Sequence, residues 1–226
     1  HPGVFALIQG GKRDVGTALV TNPLIKAVGF TGSLAGGRAL FDLCAQRPEP
    51  IPFFFVLSLD KNMFIFVVSM SARGAELAAG WAASLTMGAG QFSTNPGLAV
   101  VLDGPDADAF VTDTVAALTQ VAAQTMLTDG IAAAYRAGQS RLAAHPDVRP
   151  LLQGDAPARA AAPALLETTA AAFLADHTLG EEVFGPLGLV VRARSLDEMA
   201  QLARSLQGQL TATLHMDPAD LATAQD

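Results

Sequence analysis

An α/β fold is expected from three features of this 226-residue chain. Short apolar runs alternate with segments whose apolar residues recur at helical spacing, glycines punctuate the turns between them, and helix-start signals such as Ser195-Leu196-Asp197-Glu198 precede apolar stripes. That alternation predicts parallel strands joined by right-handed crossovers.

In order along the chain, residues 4–9 read as a buried strand, 13–20 as a short helix and 25–31 as a second strand. A glycine-bearing turn over 32–37 leads into a helix on which Leu40, Leu43 and Cys44 share a face, and residues 51–59 form a third strand. Residues 1–60 therefore form one half of a dinucleotide-binding domain, a partial Rossmann-type βαβαβ segment whose second half would lie beyond the switch point.

Residues 61–226 form a second α/β region. After a strand over 64–70, Ser71 caps a helix presenting Leu77, Trp81 and Leu85, which Gly88 and Gly90 end. A strand over 98–102 follows, then Asp103-Gly104-Pro105 turns into a helix burying Val111, Val115, Leu118 and Ala122. Another helix carries Ile131, Tyr135 and Leu142 up to His145-Pro146. Residues 153–163, rich in Gly, Ala, Pro and Asp, form a loop before strands over 164–168 and 187–193. Ser195 opens a capping box for a helix with Met199, Leu202 and Leu206, Gly208 ends it, and 209–215 is a strand. Asp217 and Pro218 open a helix for which only eight further residues remain, the signature of a truncation.

Composition narrows the function classes. Half the residues are apolar and 15% are charged, which describes a globular chain. A mean hydropathy of +0.35 has two open explanations: apolar surface facing a partner subunit, missing domain or ligand, or simple alanine richness. The net charge of -7 and the lack of a basic stripe exclude a nucleic-acid partner. Asp60 and Lys61 interrupt the apolar stretch over 51–70, so neither part spans a membrane as a helix. No signal peptide is visible, and the single Cys44 with four scattered histidines offers neither a disulfide nor a metal site, which fits a cytoplasmic protein. The run of Phe53, Phe54, Phe55, Phe64 and Phe66 is expected to be buried on both faces, with pairing to another chain as the alternative.

Two glycine-bearing stretches could carry chemistry. Residues 30–37 (Phe-Thr-Gly-Ser-Leu-Ala-Gly-Gly) connect a strand to a helix, where backbone amides attract phosphate, but the sequence lacks the GxGxxG pattern and on its own favours an ordinary tight turn over nucleotide binding. Residues 88–97 place Ser93 in a loop between a helix and a strand.

Taken together, residues 30–37, 90–97 and Glu181-Glu182-Val183-Phe184-Gly185-Pro186 resemble, in order and spacing, the aldehyde dehydrogenase superfamily. Residues 25–41 and 47–52 look closest to its α-ketoglutaric semialdehyde (2,5-dioxovalerate) dehydrogenase branch, and the chain matches about the second half of a family member. The resemblance implies a small oxo-acid aldehyde substrate and NAD or NADP. It implies Ser33 and Gly37 beside the cofactor's phosphates, Glu182 on the nicotinamide ribose and Phe184 near the nicotinamide ring. It puts Ser93 where the family has its nucleophilic cysteine and Val56 where it has its general-base glutamate. Residues 57–62 depart from the family's small, glycine-bearing segment, and the side-chain oxyanion asparagine and adenosine-ribose lysine fall in the N-terminal half that is not matched.

A serine hydroxyl needs a base to become a nucleophile, and valine cannot activate water. The expectation is therefore a truncated or engineered aldehyde dehydrogenase domain that does not oxidise aldehydes, with a homo-oligomer or the missing N-terminal half as partner. A non-catalytic scaffold domain is the alternative. A Ser93-dependent esterase using Asp176-His177 is a more remote one, since residues 91–95 are not a Gly-x-Ser-x-Gly elbow.

Overall fold

The computed structural model describes residues 3–10, 13–58, 63–66, 70–206 and 211–216, with side chains withheld for 56–58, 63–66 and 70–72. It divides into two units, His1–Leu59 and Asp60–Asp226.

In the first unit, helix α1 (Asp14–Thr21) precedes strand β1 (Val28–Ser33), helix α2 (Leu34–Ala45) and strand β2 (Phe53–Ser58). The two strands pair in parallel, from Val28 opposite Phe53 to Ser33 opposite Ser58. Arg47 ties the end of α1 to the segment entering β1, its Nη1 donating to the carbonyls of Val20 and Ile25, each at 2.9 Å. Val20, Gly37 and Cys44 are the buried residues of the unit's two helices.

Three expectations for this unit are corrected. Residues 4–9 form no strand: Val4, Phe5, Leu7 and Ile8 are exposed, because no strand among the described residues runs beside them to complete a ladder. The unit is thus βαβ with a preceding helix, one strand short of βαβαβ. The turn over 32–37 is shorter than expected, since Ser33 Oγ accepts from Gly36 N–H at 3.2 Å and starts the helix at Leu34. The aromatic strand is not covered on both faces either: Phe54 is 68% exposed and Phe55 51%, although α2 packs on the strand through Phe41, whose ring meets that of Phe53 at 6.1 Å. The side chains of Phe64 and Phe66 lie outside the described residues.

The second unit is built on a six-stranded sheet. In chain order its elements are β3 (Met63–Phe66), α3 (Met70–Thr86), a 3-10 turn (Met87–Gly90), β4 (Leu98–Leu102), α4 (Pro105–Thr119), β5 (Gln124–Thr125) and α5 (Asp129–Ala143). There follow β6 (Arg149–Gln153), β7 (Ala160–Ala161), β8 (Ala164–Thr169), α6 (Ala170–Ala175), a 3-10 turn (His177–Gly180), β9 (Leu187–Ala193), α7 (Leu196–Ser205) and β10 (Ala212–His215). The sheet order is β10-β3-β4-β9-β8-β6, parallel except for β6, which runs antiparallel to β8 with a bulge between Pro150 and Leu152.

Period-two alternation divides the central strands between two layers. Ala99, Val101, Leu165 and Val190 face α3 and α4, where Trp81 stacks on Phe110 with ring centroids 5.7 Å apart. Their neighbours Leu98, Val100, Leu166, Leu189 and Val191 face the opposite cluster, which includes Tyr135, Leu142, Phe173, Met199 and Leu202. Both faces being covered explains why these strands read as continuous apolar runs.

The structure differs from the sequence reading in several details here. Ser71 lies within α3, which starts at Met70. Ala122 is exposed, because α4 closes at Thr119 with Gln120 and Val121 N–H turning back to Ala117 and Leu118 carbonyls. Strand β6 and the pairing of β5 with β7 were not anticipated, the polar residues at 149 and 153 having hidden the first. The capping box is half realised: Ser195 Oγ accepts from Glu198 N–H, while the Glu198 carboxylate accepts from Arg194 N–H at 2.6 Å. Gly208, Asp217 and Pro218 lie outside the described residues. No helix among the described residues is long and apolar enough to cross a membrane.

Charge is concentrated at the far end of the strands. Arg192, 13% exposed, binds Glu167 Oε2 at 2.7 Å, Asp108 at 2.8 Å and Asp103 at 3.0 Å. Burial works against its charge, but the carboxylates outweigh that and hold its pKa above the ordinary arginine value.

Leu165 is fully buried beside Trp81 and Leu85, over Gly188. Leu165→Ala is expected to destabilise the chain by about 2–5 kcal/mol. In urea denaturation the midpoint should fall with an unchanged slope; an unmoved midpoint would exclude this packing.

Candidate functional site

Strands β4 and β9 are parallel neighbours, so the segments that enter them arrive from the same end of the sheet. This brings together residues 88–97 and 181–186, far apart in sequence. Leu189 N–H donates to the Gly97 carbonyl at 2.9 Å, and Ala164 N–H to the Pro186 carbonyl at 2.9 Å.

Their closest approach is at Gly90. A Cβ there would lie 2.3 Å from the Gly185 carbonyl carbon and 2.5 Å from Pro186 N, so only glycine permits it. Gly185 is constrained in turn, since its own Cβ would fall 2.2 Å from the Tyr135 ring. The Tyr135 hydroxyl donates to the Ala162 carbonyl at 2.7 Å, and burial pushes its pKa well above the ordinary tyrosine value.

The loop leaves α3 through consecutive left-handed residues, Gly88 (φ 56°), Ala89 (φ 57°) and Gly90 (φ 66°). Several side chains hold it. Asn95 Nδ2 donates to the Leu85 carbonyl at 2.9 Å and Trp81 Nε1 to the Pro96 carbonyl at 2.7 Å. Asn95 N–H reaches the Phe92 carbonyl at 3.0 Å, which turns the chain at Ser93 and leaves Ser93 exposed. Gln91 and Gln124 add bonds from the side: Leu127 N–H donates to Gln91 Oε1 at 2.9 Å and Ala89 N–H to Gln124 Oε1 at 3.0 Å. Position 93 therefore sits at the tip of a rigidly tethered turn. Glu182 and Phe184, on the adjoining segment, are half-buried.

Ser33, Gly37 and Val56 belong to the first unit. Val56 lies opposite Thr31 in the β1–β2 ladder. Ser33 is the cap of α2, and Gly37 is buried in its first turn. That helix has 12 residues and no acidic side chain in its first turn, so its amino end carries positive potential. Gly32 and Gly36 let the Phe30 ring lie against the turn, at 2.6 and 3.2 Å from where their Cβ atoms would stand. A helix amino end of this kind favours an anionic group.

The Asp176-His177 pairing does not form. Asp176 instead caps the turn His177–Gly180, accepting from Thr178 N–H at 2.9 Å, and its Oδ2 meets His145 Nε2 at 3.2 Å. Asp147 N–H donates to His145 Nδ1 at 3.1 Å, which leaves the proton of a neutral ring on Nε2, facing Asp176. His215 is held below its ordinary pKa by burial first and by Arg73 second. No cluster of His, Cys, Asp and Glu suited to a metal exists among the described residues. The sequence reading missed Gln124, which lies 35 residues from Ala89 and carries no local signal.

The description "aldehyde dehydrogenase family" fits residues 1–224. The chain is 48% identical over 225 residues to alpha-ketoglutaric semialdehyde dehydrogenase 2 of Azospirillum brasilense, covering 99% of this chain and 43% of that protein. It is 38% identical over 230 residues to alpha-ketoglutaric semialdehyde dehydrogenase of Acinetobacter baylyi, with the same shares of 99% and 43%. Among solved structures, an NAD-dependent benzaldehyde dehydrogenase from Corynebacterium glutamicum superposes with a TM-score of 0.76 at 21% identity, over 95% of this chain and 47% of that one. The chain spans about 43% of the length of the curated relatives it matches.

The Thr178 amide and hydroxyl, before His145, hold the Asp176 carboxyl below its ordinary value of 3.8. A depressed carboxylate pKa contributes stability above the unfolded value and loses it as pH falls through the folded one. Asp176→Asn should therefore be less stable than the parent at neutral pH, with the gap closing below about pH 4 in parallel thermal melts. A gap independent of pH would contradict this.

Proposed function

The chain belongs to the aldehyde dehydrogenase family, and we propose that it carries that family's catalytic region, over residues 61–226, and part of its cofactor-binding region, over residues 1–60, without the groups needed to oxidise an aldehyde. The ancestral reaction on this reading is NAD(P)-dependent oxidation of an oxo-acid semialdehyde to the acid. The reading rests on position 93: a formed turn presents a hydroxyl where the family's chemistry calls for a thiolate. A thiolate adds to an aldehyde carbonyl unaided, whereas a hydroxyl requires a base. Val56, in the position of the family's base, offers no proton acceptor.

On this reading Ser33 and Gly37 hold the cofactor's phosphates at the amino end of α2, Glu182 takes the nicotinamide ribose and Phe184 packs near the ring. Bound NAD or NADP would supply the hydride acceptor. The chain's own part is to bind and orient; it neither forms the nucleophile nor activates water. The alternative of a Ser93 hydrolase loses support because Asp176 is engaged with Thr178 and His145.

The test is a paired assay on purified protein. With α-ketoglutaric semialdehyde and NAD or NADP, the chain should produce no NAD(P)H, and Ser93→Cys should raise p-nitrophenyl acetate hydrolysis at least about tenfold. Cys44 contributes little background, being buried, and burial raises its thiol pKa against the lowering influence of Arg47. NAD(P)H formation by the Ser93 chain would overturn the reading.

A further inference from the structure

We propose that Gln124 is the positioning residue of the loop that carries position 93, acting through the backbone of Ala89; the inference rests on reading residues 88–97 as the nucleophile loop. Ala89 is buried and left-handed at φ 57°, a conformation that residues with a side chain rarely adopt. Such geometry persists only where the surroundings over-determine it. The Gln124 carboxamide supplies that constraint from both ends: its Oε1 accepts from Ala89 N–H at 3.0 Å, and its Nε2 donates to the Thr86 carbonyl at 3.0 Å. Thr86 is the last residue of α3, so its carbonyl has no partner within the helix. One side chain thus satisfies the end of the helix and the strained amide that starts the turn.

Gln124 is itself anchored. It pairs with Ala161 in the β5–β7 ladder, and Arg159 holds Met126 through both main chain and side chain: Met126 N–H donates to the Arg159 carbonyl at 2.8 Å, and Arg159 Nε to the Met126 carbonyl at 2.8 Å. Arg159 Nη2 also donates to the Leu127 carbonyl. Leu127 N–H completes the circuit by donating to Gln91 Oε1, while Gln91 Nε2 donates to the Gly88 carbonyl at 3.1 Å. Segment 124–127 is therefore a splint bound to the loop by one glutamine from each side, and Gln124 is the member that grips the left-handed residue.

Amide exchange read by mass spectrometry tests the grip without relying on any activity. In Gln124→Met, exchange over residues 87–92 should rise at least about tenfold, while β8 and β9 remain protected. Gln124→Glu keeps an acceptor for Ala89 N–H but loses the donor to the Thr86 carbonyl, and its exchange should lie between the parent and Gln124→Met. Unchanged exchange in Gln124→Met, equal loss in both variants, or loss of protection through β8 and β9 would each overturn the proposal.

The positioning role is tested in the Ser93→Cys background. There Gln124→Met should slow alkylation of the introduced thiol by iodoacetamide about tenfold and move its pH midpoint upward, as the ordered loop amides no longer favour the thiolate. Identical pH profiles with and without Gln124→Met would overturn it. An introduced thiol that is inert even with Gln124 intact would count against the nucleophile-loop reading instead, and the exchange result would still decide the grip.

Discussion

The site in the second unit depends on Gly90 approaching the Gly185–Pro186 peptide more closely than any side chain allows. That approach is a consequence of topology, since β4 and β9 are parallel neighbours and each is entered by one of the contacting segments. Tyr135 backs the contact from α5, its ring against Gly185 and its hydroxyl on the Ala162 carbonyl. Helix, loop and strand entry are thus locked at one point. The turn that presents Ser93 and the segment bearing Glu182 and Phe184 cannot move independently while this contact holds.

A turn so constrained separates two properties that are usually found together. Its backbone geometry is set by glycines, by Asn95, Trp81 and the two glutamines, none of which is the residue at position 93. On the proposed reading, the chemistry rests on the single exposed side chain at the tip. A hydroxyl in place of a thiol at position 93 would, on that reading, remove reactivity without disturbing the scaffold, leaving the loop recognisable.

What was legible in the sequence follows the same physics. Strands β4 and β9 were located to the residue, because burial on both faces makes them apolar throughout. The family was legible because glycine is obligatory at Gly90 and Gly185, and such positions leave a pattern. Residues 4–9 misled, since apolar character without a neighbouring strand does not make a ladder. Asp176 and His177 misled for a different reason: adjacency in sequence is not adjacency of side chains, and Asp176 meets His145 instead, 31 residues away. Gln124 was invisible because its partners are backbone atoms of a distant segment, which no side-chain pattern reports.

The obligatory approach at Gly90 can be measured against an internal reference. Gly80 lies within α3 with nothing near the position of its Cβ, so Gly80→Ala should stabilise the chain by up to about 1 kcal/mol. Gly90→Ala, facing backbone atoms at 2.3 Å from a left-handed conformation, should cost at least about 3 kcal/mol. Urea denaturation of the two variants beside the parent decides the matter. Opposite shifts of this size are the predicted result, and a Gly90→Ala chain within about 0.5 kcal/mol of the parent would contradict the account.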